Sequence, residues 1–172
     1  MKNLSKIKDW IFQTIKNKLF KNALIRITHG DFYPANLLIS KDLNELKFID
    51  PRGKFAQKNS ILGDLRYDFE KLLHSFNGYY DFIKFDKFTL KQRQNIYFDY
   101  EIFTNEIVKK TNSYLEKQIQ KQFNLNIDDI KFIEALLFLT MIPLHYENLE
   151  HQKMFYLLAI EKFNYLMEKK WE

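Results

Sequence analysis

Two short aliphatic runs, Asn36-Leu37-Leu38-Ile39 and Leu46-Lys47-Phe48-Ile49, lie on either side of a polar stretch, Ser40 to Glu45. Runs of this kind are strand formers, and Asp42 and Asn44 supply the turn chemistry between them. The expected unit is a β-hairpin. An antiparallel hairpin brings the end of its second strand back to the start of its first. Asn36, which opens the first strand, therefore comes close to Asp50, which follows the second. Just upstream stands His29-Gly30-Asp31-Phe32-Tyr33-Pro34-Ala35-Asn36, and just downstream Asp50-Pro51-Arg52-Gly53.

Adjacent strands lie about 4.8 Å apart, so Asn36 and Asp50 can converge on one ion. An amide oxygen and a carboxylate are hard ligands of the kind magnesium takes, with phosphate oxygens and water completing its shell. Asp31, in the loop leading into the hairpin, can accept the proton of an attacking hydroxyl while the metal holds phosphates. Gly30 and Gly53 permit tight turns on either side. Arg52 can contact phosphate or lock a carboxylate.

The rest of the chain reads mainly as helix. Leu4, Ile7, Ile11, Ile15 and Leu19 recur at helical steps, which predicts a leading helix within residues 1–22. Leu24 to Thr28 is a short strand running into His29 and opening a segment, 23–53, that carries the loop and hairpin. Residues 54–63 are polar and expected as loop. A helical subdomain fills 64–172, with helices expected over 64–76, about 90–122, Ile130–Met141 and His151–Lys169. Asp128 or Asp129 is the expected cap of the third of these, and Pro143 its end. Asp64 and Asp68 start a helix, where carboxylates are favoured. His74 and His145 are expected as packing residues and His151 at the surface. No internal repeat or linker divides the chain, so the expectation is one α+β domain, predominantly helical.

Composition removes several function classes. The 172 residues include no Cys, which excludes disulfides, thiolate zinc sites and a cysteine nucleophile. The net charge of +5 comes from 27 Lys and Arg against 22 Asp and Glu, interspersed rather than clustered. That pattern does not suggest nucleic-acid binding. The longest apolar run, Ala135 to Leu144, is too short for a bilayer, and the first residues lack the pattern of a signal peptide. A cytoplasmic protein is expected.

The loop and hairpin motif resembles the aminoglycoside phosphotransferase and choline kinase family, small-molecule relatives of the protein kinases. In that family His-Gly-Asp, four residues and Asn precede an aspartate in an Ile-Asp context about a dozen residues later. Here His29-Gly30-Asp31, Asn36 and Ile49-Asp50 match. The resemblance implies a kinase-like C-terminal lobe with Asp31 as catalytic base, Asn36 and Asp50 as magnesium ligands, and His29 as a loop-fixing residue. A narrower similarity rests on Asp50-Pro51-Arg52-Gly53, on Gly63 to Lys71, and on Ile142-Pro143-Leu144-His145. It points to a branch associated with capsule and surface-polysaccharide loci, where the aspartate matching Asp68 supports the catalytic loop. The similarity covers roughly residues 10–165.

The implied reaction moves the γ-phosphoryl group of ATP to a hydroxyl of a sugar or amino-alcohol, with magnesium. The family's N-terminal lobe, with its glycine-rich loop and phosphate lysine, has no counterpart in the residues before His29. The expectation is a C-terminal lobe that binds ATP weakly alone and works with an N-lobe on another chain or as a homo-oligomer. The competing expectation is a catalytically incomplete kinase-like domain acting as a binding or scaffold module.

Overall fold

The computed structural model describes residues 4–55, 57–95 and 97–171. It is an α+β structure in which small antiparallel hairpins sit beside a helical body. Helix α1 (Leu4–Thr14) continues into a π-helical turn, Ile15–Leu19. Strand β1 (Ile25–Ile27) leads to the His29 loop, which ends in a 3-10 turn at Pro34–Asn36. Strands β2 (Leu37–Ile39) and β3 (Leu46–Phe48) form the expected hairpin, with Leu37 opposite Phe48 and Ile39 opposite Leu46. Ser40, Asp42 and Asn44 close its turn. The Ser40 hydroxyl accepts from the backbone of Glu45 at 2.9 Å, and the Asn44 amide donates to Asp42 at 2.8 Å.

The segment expected as loop, 54–63, instead contains β4 (Lys54–Phe55), β5 (Lys58–Asn59) and most of β6 (Leu62–Asp64). Strand β6 pairs with β1, Arg26 opposite Gly63. These strands are two or three residues long, so no period could emerge from their sequence. The β1–β6 pairing is also non-local.

Helix α2 (Leu65–Phe76) starts where expected, with the Asp64 carboxylate accepting from the backbone of Arg66 at 3.1 Å. A short α3 (Tyr80–Lys84) follows. The helix expected over about 90–122 is corrected over its first half. Residues Phe88–Gln92 (β7) and Phe98–Ile102 (β8) form another hairpin, Leu90 opposite Tyr100. Phe88, Leu90, Tyr100 and Ile102 alternate with polar residues and pack against the core, a period of two that suits aromatic and branched side chains. Helix α4 (Glu106–Phe123) begins only at the Asn105 cap.

Helix α5 (Ile127–Met141) is capped by Asn126, not by Asp128 or Asp129. Asp128 pairs with Lys169 at 2.5 Å and Asp129 with Arg66 at 2.8 Å. Pro143 lies in a 3-10 turn, Ile142–His145, that ends α5. Helix α6 (Leu149–Glu168) starts at the Asn148 cap. Asparagine suits these caps because its short side chain satisfies an otherwise unbonded first-turn N–H.

Helices α5 and α6 pack on each other and contribute Phe132, Phe138, Met154, Phe155, Phe163 and Leu166 to the core. Their rings meet edge-on or stacked, Phe132 and Phe163 at 5.4 Å and Phe138 and Phe155 at 5.7 Å. Trp10 ties α1 to this core at 5.5 Å from Phe132. A smaller cluster of Leu73, Ile119, Ile127 and Ile130 joins α2, α4 and α5. No helix among the described residues is long and apolar enough to cross a membrane.

His74, His145 and His151 are packing residues, and the surface expectation for His151 is corrected. His151 is buried beside Phe155, with Nε2 2.7 Å from an Asp86 carboxylate oxygen. His74 is buried against Tyr80 at 5.0 Å. Burial first, then the Lys71 charge, lowers its pKa from 6.5 to about 3. The fold therefore holds His74 neutral, whereas the unfolded chain protonates it below pH 6.5. A depressed folded pKa means that its contribution is intact above pH 6.5 and is lost as pH falls toward 3. The loss runs at up to about 1.4 kcal/mol per pH unit. Urea unfolding across pH 7 to 4 is expected to show a shallower decline for His74→Phe than for the parent chain. Identical slopes would show that His74 does not titrate on unfolding.

Candidate functional site

The site is built where β1, the β2–β3 hairpin and α2 meet. Asp68, nearly buried in the first turns of α2, points its carboxylate at the loop after β1. One oxygen accepts from the backbone N–H of His29 at 2.7 Å and the other from Gly30 at 2.8 Å. Two charge-assisted bonds of this kind fix the loop's path. The far side of the loop is held by Arg52, whose backbone N–H donates to the His29 carbonyl at 2.8 Å. His29 Nδ1 accepts from the backbone of Asp31 at 3.3 Å, and its ring lies against Phe32 and Phe48.

Gly30 has φ +78°, and a Cβ there would lie 2.7 Å from Arg52 Cβ and 3.2 Å from the Phe55 ring. Both the backbone conformation and the space require glycine. Gly30→Ala is expected to cost about 1–3 kcal/mol in thermal or urea unfolding. A change within error would show that the loop relaxes freely.

Asp31 emerges from this loop held by two side chains. The Asn36 amide nitrogen donates to its backbone carbonyl at 2.9 Å and to its carboxylate at 3.2 Å. Lys71, on α2, pairs with the other carboxylate oxygen at 2.8 Å. Asp31 is 40% exposed and Lys71 14%, so the acid faces the opening and the base lies beneath it.

Asn36 is buried, and its nitrogen is committed to Asp31, which leaves its amide oxygen as the end available to a cation. The hairpin ladder extends one step past β2 and β3, Ile49 N–H donating to the Asn36 carbonyl at 3.1 Å. Asp50 is thereby the next residue beyond Asn36 on the returning strand. Its φ of +55° and that of Gly53, +60°, turn the chain sharply away. Arg52 bonds to a phenol rather than to a carboxylate. Its Nη1 donates to Tyr67 at 2.9 Å, and its guanidinium lies 6.0 Å from the Phe55 ring.

Asp31, Asp50 and Arg52 line one cavity of about 680 Å³. Asn36 stands behind Asp31 and does not line it. Three further residues, Tyr67, Lys71 and Tyr80, complete this side. Sequence reasoning did not single them out, although a signal existed. Asp68 and Lys71 are three apart on one helix and so share a face. A helix that holds the loop through Asp68 presents Lys71 to the loop's next residue. The rest of the lining comes from α5 and the turn after it.

Among the described residues, no three His, Cys, Asp or Glu side chains form a group able to hold a metal ion. One carboxylate and one amide oxygen do not make a resident metal centre. They do fit magnesium that arrives on a nucleotide, since that ion is commonly held by one or two protein oxygens with phosphates and water.

Asp64 is a structural residue. It caps α2 and pairs with Arg66, which is 1% exposed and also binds Asp129 and the Leu19 carbonyl. Nearby, Glu70 is fully buried, and burial and then the neighbouring Glu134 push its carboxyl pKa well above the usual range.

Comparison with protein-family models, curated proteins and solved structures finds no match to this chain.

Proposed function

We propose that this chain is a kinase-like C-terminal lobe that transfers the γ-phosphoryl group of ATP to a hydroxyl of a small molecule. One observation carries the reading: Asp31 and Asp50 open into the same cavity, with Asn36 bonded to Asp31 behind them.

In this reading the acceptor hydroxyl sits beside Asp31. As its oxygen forms a bond to the γ-phosphorus, the bond from that phosphorus to the bridging oxygen breaks and ADP leaves. The hydroxyl proton passes to the Asp31 carboxylate. Asn36 and Lys71 hold that carboxylate in place and aimed at the opening. Asp50 and Asn36 would hold magnesium carried on the nucleotide, which would neutralise phosphate charge when bound. Lys71 and Arg52 are the cations on the same wall for phosphate oxygens to meet. An ATP-dependent reaction fits the cytoplasmic expectation.

The strands bearing the site present Ile25, Ile27, Leu38, Ile39, Leu46 and Phe48 to the exterior, each at least half exposed. An apolar surface of this kind favours a chain that works against another lobe. That lobe would form the other wall of the nucleotide site, so ATP binds weakly without it. The same surface, together with an Asp31 already paired to Lys71, favours a second reading: a kinase-like module kept for binding rather than catalysis.

A single-turnover assay separates the two. The chain, in excess over γ-labelled ATP and magnesium, is incubated with a mixture of hydroxyl compounds. Labelled acceptor that forms only when Asp31 is intact supports transfer. Equal labelling in Asp31→Asn, or none in the parent chain, rejects it.

A further inference from the structure

The inference rests on the proposed transfer and concerns the acceptor. The cavity's two walls differ in kind. The ionic wall carries two acids, Asp31 and Asp50, and two bases, Arg52 and Lys71, so its formal charge is zero. Asp31 is also paired with Lys71. A polycation gains no net attraction from such a wall.

The other wall is Ile133, Leu136, Leu137, Met141 and Leu144. Its one hydroxyl, on Thr140, donates to the Leu137 carbonyl of its own helix at 2.8 Å. His145, at the rim, is held neutral chiefly by burial, which lowers its pKa, and its ring packs on Phe155 at 4.9 Å. Only Thr140 and His145 offer polar side-chain atoms here, too few to replace the water around all of a sugar's spare hydroxyls. Each one stripped of water without a partner opposes binding.

We propose that the acceptor is an alcohol with an apolar body, an aliphatic chain or a hydrophobic ring. Its hydroxyl lies at Asp31 and its body lies along the Ile133–Leu137–Leu144 wall. A cavity of about 680 Å³ holds a molecule of that size together with the phosphates on the ionic side. This proposal departs from the sugar or amino-alcohol expectation.

The test uses the full 172-residue chain without nucleotide. Binding of 2-phenylethanol, glucose and ethanolamine is measured by NMR titration, in the parent chain and in Leu144→Asp. Leu144 is 71% exposed, so this change spares the core, and thermal unfolding verifies that. The expected result is that 2-phenylethanol binds about tenfold more tightly than glucose or ethanolamine. It should shift the amide signals of Leu137 and Leu144, and Leu144→Asp should weaken it by about tenfold. Glucose or ethanolamine binding as tightly, undetectable binding of 2-phenylethanol, or an unaffected Leu144→Asp chain would overturn the proposal. Because no nucleotide is present, the two failures are distinguishable. A failed transfer assay beside this selectivity removes the reaction, and transfer without this selectivity removes only the acceptor class.

Discussion

Asp31→Asn is expected to lower phosphoryl transfer about 10²- to 10⁴-fold, the range over which a positioned general base contributes. The substitution keeps the shape of the side chain. Its amide oxygen can still accept from Asn36 or from Lys71, so the loop held by Asp68 stays as it is. What disappears is the negative charge and the capacity to take a proton. The fold readouts, far-ultraviolet circular dichroism and thermal midpoint, should therefore change little while the single-turnover rate collapses. Asp68→Asn provides a contrast. It weakens both bonds that hold His29 and Gly30, so loss of rate should come with loss of loop order. An Asp31→Asn chain that transfers phosphate at the parental rate would exclude Asp31 as the base.

The largest expected effect on stability belongs to Arg66. Its guanidinium is buried and fully engaged: Nε and Nη2 on Asp64, Nη1 on Asp129 at 2.8 Å and Nη2 also on the Leu19 carbonyl at 2.7 Å. It ties the end of the leading helix, the start of α2 and the start of α5 at one point. Arg66→Leu removes the cation and leaves the buried Asp129 carboxylate with no opposite charge. Breaking one side of a buried pair costs about 3–5 kcal/mol, a large share of the 5–15 kcal/mol that typically separates folded from unfolded states. Urea denaturation at pH 7 reads this directly. Arg66→Lys should restore part of the loss, because the charge returns without the planar fork. A cost under about 1 kcal/mol for Arg66→Leu, as for a surface pair, would show that water reaches Asp129 in place of the guanidinium.

The two elements that carry the proposed chemistry were legible from the residues because they are local. Ser40 to Glu45 has turn chemistry and its flanks have strand chemistry, so β2 and β3 follow from one short stretch. With the hairpin in place, the proximity of Asn36 and Asp50 follows from antiparallel geometry. The helices over 4–19 and 65–76 were legible for the same reason, since their apolar spacing is regular.

What escaped the sequence depends on distant partners. Strand β6 exists because β1 lies beside it, 37 positions earlier at Arg26 and Gly63. Its residues Leu62, Gly63 and Asp64 contain no strand pattern of their own. The β7–β8 hairpin was missed although Phe88 and Leu90, and Phe98, Tyr100 and Ile102, alternate with polar residues, because each run is only five residues long and they adjoin the helical pattern of α4. Helix α5 is apolar on nearly every side, so its sequence cannot distinguish Phe132 and Phe138, which face the core, from Leu137, which lines the cavity. Lys71 was passed over for a related reason, despite its three-residue offset from Asp68. A lysine on a helix is ordinarily solvated, and only the path of the loop held by Asp68 brings Asp31 to it.

The most direct test of the central claim uses manganese as a paramagnetic stand-in for magnesium. Manganese and ADP are titrated into the labelled chain, and amide line broadening is mapped by residue. The account predicts broadening centred on Asp31, Asn36 and Asp50, with Phe98 and its neighbours on the distant hairpin unaffected. Broadening centred elsewhere, or nucleotide-dependent broadening that persists unchanged in Asp50→Ala, would contradict it.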